Sequence, residues 1–142
     1  MSRDEEIPPA PPGFVASTGR GPFTTHNGPL FHRESAEGAH QAFFALARHC
    51  NGVGLLHGGM LSAFLDGLLS SAVGRASGVA SVTVHLSVDF LDMGRANDWV
   101  LGDASVTRVT RDMAFAEGDA RMAGRTLARA SGVFRLMRRH TA

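Results

Sequence analysis

The segment from Gly58 to Val73 constrains this chain more than any other, because its spacing predicts one long apolar helix that carries a single carboxylate, Asp66. Residues at helical spacing form one broad apolar face: Leu61, Phe64, Leu65, Leu68, Leu69 and Ala72. We expect the helix to begin at Gly58 and to fray between Gly74 and Gly78. An ionised Asp inside such a helix is costly unless a partner or a reaction uses it.

The start of this helix predicts a site that stabilises an oxyanion. His57 and the pair Gly58–Gly59 precede the apolar run, and a helix N-terminus opened by glycines presents free backbone N–H groups at the positive end of the helix dipole. Asp66 follows one or two turns later and is placed to act as a general base. Ser62, Asp66 and Ser70 form a narrow polar stripe that lets another backbone or a slender ligand approach closely.

Length and composition indicate one globular domain. The chain has 142 residues, of which 44% are hydrophobic and 19% charged, as in an ordinary globular protein with its own core. Residues 1–13 are rich in proline and acidic side chains, so we expect a flexible arm ahead of a single domain over residues 14–142. The net charge of +1 gives no argument for nucleic acid as a partner.

Cysteine usage and the N-terminal sequence favour the cytoplasm. Cys50 is the only cysteine, which excludes an intrachain disulfide, and no hydrophobic signal core follows the first Met. The apolar run from Leu55 to Ala76 is long enough to suggest a membrane span, but Asp66, His57 and several glycines argue against one. We therefore expect a cytoplasmic protein with no membrane partner.

The remaining segments predict strands. Residues 80–91 alternate with period two, and one apolar face contains Val82, Val84, Leu86, Val88 and Phe90. Before the helix, residues 29–33 predict a short strand, whereas residues 36–48 predict a short helix or a mobile segment. Turns at 94–97, 111–112 and 123–124 separate three further strands, expected at residues 99–110, 113–122 and 125–138.

A long apolar helix followed by an antiparallel meander of four strands can bury its apolar residues if the sheet curls around the helix. This α+β arrangement is the hotdog fold, an antiparallel sheet wrapped around one long central helix. Such a sheet leaves an edge strand, and this edge commonly pairs with a second copy of the chain. We therefore expect a homo-oligomer, either a dimer or a dimer of dimers, which would be a homotetramer.

The helix motif resembles the acyl-CoA thioesterases of the hotdog superfamily, also called the 4-hydroxybenzoyl-CoA thioesterase superfamily. It is most similar to the phenylacetate-pathway branch. Asn51, a short glycine-containing loop, the triplet His57-Gly58-Gly59 and Asp66 match the pattern of that branch at fixed spacing. The resemblance covers roughly residues 14–138, although beyond the helix it rests on small pieces such as Met113-Ala-Phe115.

The resemblance implies a role for each matched position. The backbone N–H of Gly58 would donate to the thioester carbonyl, Asn51 would help to polarise that carbonyl, and His57 would lie beside the sulfur. Asp66 would orient and deprotonate a water molecule. A Ser or Thr early in the next strand, supplied by the neighbouring subunit, would help to hold that water, and Thr83 falls at this place.

The activity implied is hydrolysis of an acyl-CoA thioester to free acid and CoA. We expect the rate to fall at acid pH, because Asp66 must be ionised to act as a base. Arg111 and Arg108 lie near the turn before the third strand, where basic residues of this branch meet the nucleotide phosphates. Coenzyme A is part of the substrate, so no cofactor is expected. No metal is expected either, because only the neighbours His49 and Cys50 suggest ligand spacing.

Two alternatives to hydrolysis stay open. A hotdog hydratase or dehydratase acts on the same carrier thioesters and pairs a His with an acid, as His57 and Asp66 could do. A non-catalytic acyl-CoA binding module is the other alternative, although a pure binder has no need of a carboxylate beside an oxyanion site. Within hydrolysis, Asp66 could activate water or attack the carbonyl directly to form an anhydride.

Overall fold

The computed structural model describes residues 5–138, in which a seven-stranded antiparallel sheet wraps around one long helix. The predicted hotdog arrangement is therefore confirmed. Of the predicted arm, residues 1–4 lie outside the described residues, and Glu5 forms an ion pair with Arg48 at 2.6 Å. The helices are α1 (Pro22–Asn27) and α2 (Gly58–Ser77), and the strands are β1 (Val15–Ala16), β2 (Phe31–Arg33), β3 (Ala39–Phe44), β4 (Ser81–Phe90), β5 (Trp99–Val109), β6 (Met113–Met122) and β7 (Arg125–Leu136).

The long helix α2 begins and ends where the sequence predicts. His57 caps its N-terminus, because the ring Nδ1 accepts a hydrogen bond from the Gly59 N–H at 2.8 Å. At the other end Gly78 has a φ of 75°, a left-handed conformation that glycine adopts without steric cost. The buried face of α2 contains Leu61, Phe64, Leu65, Leu68, Leu69, Ala72 and Val73. Among the described residues, no helix is both long and apolar enough to cross a membrane.

A glycine in β5 lets α2 approach the sheet closely. A Cβ atom at Gly102 would lie 2.7 Å from side-chain atoms of both Leu68 and Phe64. Such a distance is shorter than a real contact, so a larger residue here would push α2 away from the sheet. The tight contact falls at the level of Asp66, which lies between Phe64 and Leu68 in the helix.

The strand order differs from the predicted four-stranded meander. The sheet runs β1-β2-β3-β5-β6-β7-β4 with every neighbouring pair antiparallel. Strands β5, β6 and β7 form a meander, but β4 pairs with β7 at the sheet edge while β5 pairs with β3. The prediction was wrong for β4 because alternation identifies a strand without identifying the neighbour with which it pairs.

Residues 36–48, predicted as a short helix or a mobile segment, contain strand β3 instead. Every residue of β3 is buried, since β2 and β5 flank it and both of its faces are covered. A strand that is buried on both faces has no alternation of apolar and polar residues. Pairing with its neighbours therefore overrides the local helix preference of residues such as Ala42 and Gln41. Helix α1 was also not predicted.

His49 follows β3 in a short 3-10 turn, Ala47–His49, and both of its ring nitrogens are engaged. Nδ1 accepts from the Leu46 N–H at 3.0 Å, and Nε2 donates to the Asn27 carbonyl at 2.7 Å. Burial lowers the pKa of His49, since the neutral ring is favoured. The neutral ring thereby ties the segment before α2 to the end of α1.

We predict that acid weakens the fold through His49. Because folding lowers the pKa of His49, the unfolded chain binds the proton more readily than the folded chain does. The free energy of unfolding is therefore highest above the ordinary imidazole pKa of about 6.5, and it decreases as the pH falls below that value. The free energy of unfolding in urea should be lower at pH ~5.5 than at pH ~7.5. In H49Q, whose amide can make both bonds without titrating, that difference should shrink. An unchanged difference would contradict the prediction.

Candidate active site

The N-terminus of α2 holds a backbone donor that the described residues leave unused. In this first turn, the Gly59 N–H bonds to the His57 ring and the Leu61 N–H bonds to the His57 carbonyl at 3.1 Å. Within residues 5–138, no hydrogen bond uses the Gly58 N–H. This N–H lies at the positive end of the helix dipole, so it is available to a developing negative charge.

The capping bond also fixes the chemistry of the exposed His57 ring. Since Nδ1 accepts the Gly59 N–H, a neutral ring carries its proton on Nε2. His57 is therefore a hydrogen-bond donor at Nε2. No hydrogen bond or ion pair joins His57 to Asp66 in the part of the chain that the structure describes.

Asn51 lies in a loop that folds back just before α2. Its Oδ1 accepts hydrogen bonds from the Val53 and Leu55 N–H groups at 3.1 and 3.0 Å. The base of the loop is closed by the His57 N–H, which donates to the His49 carbonyl at 2.9 Å. The loop thus uses the side-chain oxygen of Asn51 and leaves its Nδ2 group to donate to a ligand.

The ring of Phe90 covers Gly58, a contact that the sequence did not reveal. A Cβ atom at Gly58 would lie 3.4 Å from two atoms of this ring. The contact arises because β4 runs back alongside α2, so that the end of β4 reaches the start of the helix. Periodicity assigned Phe90 to the apolar face of a strand and could not give its neighbour.

Asp66 and Thr83 contact each other within one chain. The Thr83 hydroxyl donates to Asp66 Oδ1 at 2.6 Å, and Asp66 is half-buried. This pair lies within one chain, whereas the resemblance implied that the neighbouring subunit supplies the Thr83 that helps to hold the water. A bulge explains the contact: the register of β4 shifts between Thr83 and His85, and Thr83 stands opposite the buried Phe134, on the face that looks toward α2.

The same bulge divides the apolar face predicted for β4. Leu86 and Val88 pack against the core, whereas Val82 and Val84 are 49% and 53% exposed. Because one extra residue reverses the alternation, the prediction of a single face was wrong. The exposed side chains of Val82, Val84 and Phe90 instead lie along the free edge of the sheet.

Two predicted nucleotide-binding residues lie apart from these groups. Arg108 is exposed in β5 opposite Phe115, and Arg111 is exposed in the turn between β5 and β6. That turn is at the same end of the sheet as Thr83, since Ala114 of β6 and Thr83 both stand beside Phe134 of β7. Strand β7 separates them, so neither Arg is brought to Asp66 within the described chain.

A cavity of about 250 Å³ opens beside His57 and Gly59, between α1 and α2. Phe23 of α1 and Met60 of α2 give it apolar walls. Cys50 also lines it, but burial raises the pKa of the Cys50 thiol, so this thiol is protonated and poorly nucleophilic. The cavity therefore offers space for an apolar group next to the helix N-terminus.

Comparison with known proteins identifies the family. The sequence model of the thioesterase superfamily matches residues 53–128, more than half of the chain, including all of α2. The chain belongs to the thioesterase superfamily. PA0474 of Pseudomonas aeruginosa, to which an esterase activity is ascribed, is 37% identical over 131 residues, which are 89% of this chain and 96% of that protein.

Two solved structures share the hotdog fold with this chain. The Escherichia coli PaaI protein, from the phenylacetic acid degradation operon, has a TM-score of 0.72 at 23% identity over 77% of this chain and 80% of its own. A protein of Streptococcus pneumoniae TIGR4, described as a hypothetical thioesterase and solved with coenzyme A, has a TM-score of 0.71 at 19% identity over 79% of this chain and 88% of its own. These likenesses show the shared fold, while the family match and PA0474 support thioester hydrolysis as the general activity.

We predict that Thr83→Val lowers kcat about tenfold and changes KM little, because a hydrogen bond to a charged group is worth roughly 1.5–3 kcal/mol. Valine keeps the shape of threonine but cannot donate to Asp66. Thr83→Ser should restore most of the activity, because it returns the hydroxyl. Steady-state kinetics on one acyl-CoA would decide, and equal kcat values for T83V and wild type would leave Thr83 a purely structural role.

Proposed function

We propose that this protein hydrolyses an acyl-CoA thioester to the free acid and CoA. The observation that carries the proposal is the half-buried Asp66 carboxylate of α2, which accepts a hydrogen bond from Thr83 of β4. The same helix begins with a backbone N–H, that of Gly58, which no described residue uses. A backbone donor at a helix N-terminus suits the negative charge that develops on the thioester oxygen. The structural relative that was solved with coenzyme A supports CoA as the carrier.

Two chains supply the two halves of this site. Asp66 follows Gly58 by eight residues in α2, which corresponds to roughly 12 Å along the helix axis. A general base must lie within hydrogen-bond reach of the reacting groups, directly or through one water. A carbonyl bound at Gly58 is therefore too far from Asp66 of its own chain.

The free edge of β4 explains how a second copy completes the site. Thr83, with Asp66, lies near the start of β4, whereas Phe90, with Gly58, lies at its end. Antiparallel pairing of two β4 strands about a two-fold axis would set the start of one against the end of the other. Each Asp66 would then face the Gly58 of the partner, and the exposed apolar residues of β4 would be covered.

The reaction then follows from the groups present. Asp66 takes a proton from water, and the oxygen attacks the thioester carbonyl held by the Gly58 N–H and the Asn51 amide. The tetrahedral oxyanion collapses, the carbon–sulfur bond breaks, and the Nε2–H of His57 stabilises the departing thiolate. Loss of one oxyanion donor typically costs on the order of 10²-fold or more in rate.

The capping bond of His57 disfavours the hydratase alternative. Proton transfer at carbon needs a His that exchanges protons with an acid, but the Nδ1 of His57 is held by the Gly59 N–H rather than by Asp66. A non-catalytic binding module is disfavoured by the Asp66–Thr83 pair, because a carboxylate beside the acyl carbonyl would weaken binding unless it took part in a reaction.

We predict that D66N and N51A, each nearly inactive alone, restore activity when co-expressed and purified as a mixed dimer. In the mixed dimer, one site receives Asp66 from the N51A chain and Asn51 from the D66N chain, so it is intact. Because one of its two sites is intact, the purified mixed dimer should have about half of the wild-type kcat per chain. If the site lay within one chain, mixing would restore nothing.

The same samples separate the two parts of the proposal. D66N removes only the charge at nearly constant volume, so near wild-type kcat for D66N on its best acyl-CoA would rule out Asp66 as the base. Sedimentation should give at least a dimer for wild type and both variants, and an active monomer would refute the shared site.

We predict that Arg111 contacts the phosphates of the CoA nucleotide, since it is exposed in a turn at the Thr83 end of the sheet. Arg111→Ala should raise KM for an acyl-CoA about tenfold and change kcat little, because a charge-assisted phosphate contact is worth roughly 1.5–3 kcal/mol. Arg108→Ala, one residue before the end of β5, should have a smaller effect in the same direction.

The control for Arg111 is a substrate without the nucleotide. R111A should hydrolyse the matching pantetheine thioester as well as wild type does, because that substrate lacks the phosphates. Equal harm to both substrates would make Arg111 structural and would place the nucleotide elsewhere.

A further inference from the structure

Three cavities follow one another along α2, and the first two lie beneath α1. The first, of about 250 Å³, begins at His57 and Gly59. The second is a narrow slot of about 40 Å³, and it shares Phe23, Asn27, Met60 and Ala63 with the first. The third, of about 120 Å³, reaches Ser71 and Arg75 near the far end of α2, and Gln41 lines both the slot and this last cavity.

Gln41 stands where the slot meets the last cavity, and one of its polar atoms has no partner. The residue is only 2% exposed. Its Nε2 donates to the Ser71 hydroxyl oxygen at 2.8 Å, and Arg20 donates to the same oxygen at 2.8 Å. Among the described residues, nothing donates to Gln41 Oε1. A buried carbonyl left in this way destabilises the fold unless a bound molecule supplies a donor.

We propose that the acyl chain of the substrate lies in this row of cavities and that Gln41 binds a hydroxyl group at its distal end. The inference rests on the proposed thioesterase function, which places the thioester carbonyl at Gly58. From there an acyl tail enters the first cavity beside His57 and Gly59. Gln41 is then a specificity-determining residue that does not touch the reacting atoms.

The shape of the slot selects the kind of chain. Its walls include Phe43, Phe64 and Leu30, which are apolar, and its small volume admits an unbranched chain rather than a bulky one. Gly59 and Ser71 are twelve residues apart in α2, roughly 18 Å along the axis. A long, extended chain such as tetradecanoyl that starts at Gly58 therefore ends near the Gln41 amide.

A hydroxyl group fits the Gln41 amide better than a methyl group does. Hydroxyl groups both donate and accept, so they satisfy this amide in either orientation of its oxygen and nitrogen. A terminal methyl would leave Oε1 unpaired and would also displace any water bound there. Sites that hydrogen-bond a substrate hydroxyl discriminate strongly against analogues that lack it.

The test compares tetradecanoyl-CoA with its ω-hydroxy counterpart. Wild type should prefer the ω-hydroxy thioester by about tenfold or more in kcat/KM. Gln41→Leu should lose this preference or reverse it, because the unpaired carbonyl is gone. Ser71→Ala is the matched control, since it removes the bond to Gln41 Nε2 but keeps Oε1, and it should retain the preference.

A second variant tests the path of the chain even if Q41L fails to fold. Ala63→Phe fills the slot, so it should lower kcat/KM for both tetradecanoyl thioesters at least tenfold relative to acetyl-CoA. Equal ratios in A63F and wild type would mean that the tail lies elsewhere and would overturn the inference.

The remaining outcomes separate this inference from the proposed function. If wild type hydrolyses both tetradecanoyl thioesters equally well, the role of Gln41 is refuted while hydrolysis stands. If no acyl-CoA is hydrolysed, the proposed function fails, and calorimetry with non-hydrolysable thioether analogues of the two thioesters decides the inference. Tighter binding of the hydroxy analogue to wild type than to Q41L would support it, and equal affinities would overturn it.

Discussion

The close packing of α2 against the concave face of the sheet is the constraint on which the site depends. Gly102 allows the contact with Phe64 and Leu68, and full burial of each large apolar side chain contributes about 1.5–3 kcal/mol. A helix held in this way can neither slide nor rotate without opening cavities. A slide by one residue, about 1.5 Å, would break the 2.6 Å bond between Thr83 and Asp66.

Some polar groups around the start of α2 hydrogen-bond within the fold, and the others are left free for a ligand. His57 Nδ1 satisfies the second N–H of the helix, and Asn51 Oδ1 satisfies two N–H groups of its loop. His49 joins this loop to α1. What is left is a set of donors, the Gly58 N–H, the Asn51 amide and the His57 Nε2–H, that are fixed before any ligand arrives. Donors fixed in advance need no reorganisation when charge develops.

The bulge at Val84 has two consequences that no other feature of the sheet provides. It turns Thr83 toward α2, where the hydroxyl reaches Asp66, and it breaks the regularity of a strand whose outer edge is free. A long regular edge invites unspecific pairing, whereas an interrupted edge favours one register. Thr83, which would orient Asp66 as the proposed base, therefore lies in the strand that we propose as the contact between two copies.

Helix α2, the strands after it, and the residues at the start of the helix could be predicted from the amino-acid sequence alone. These are local properties: period 3.6, period 2, glycines at caps and turns, and a motif of fixed spacing around His57 and Asp66. The order of the strands, the buried strand β3, the partner of Thr83, and the places of Phe90 and Gln41 became visible only in the folded structure. Those features depend on which segments pack together across the chain, and neither alternation nor propensity records the neighbour of a residue. Thr83 and Gln41 bear on function only through contacts with α2, and such contacts exist only once the sheet has closed around the helix.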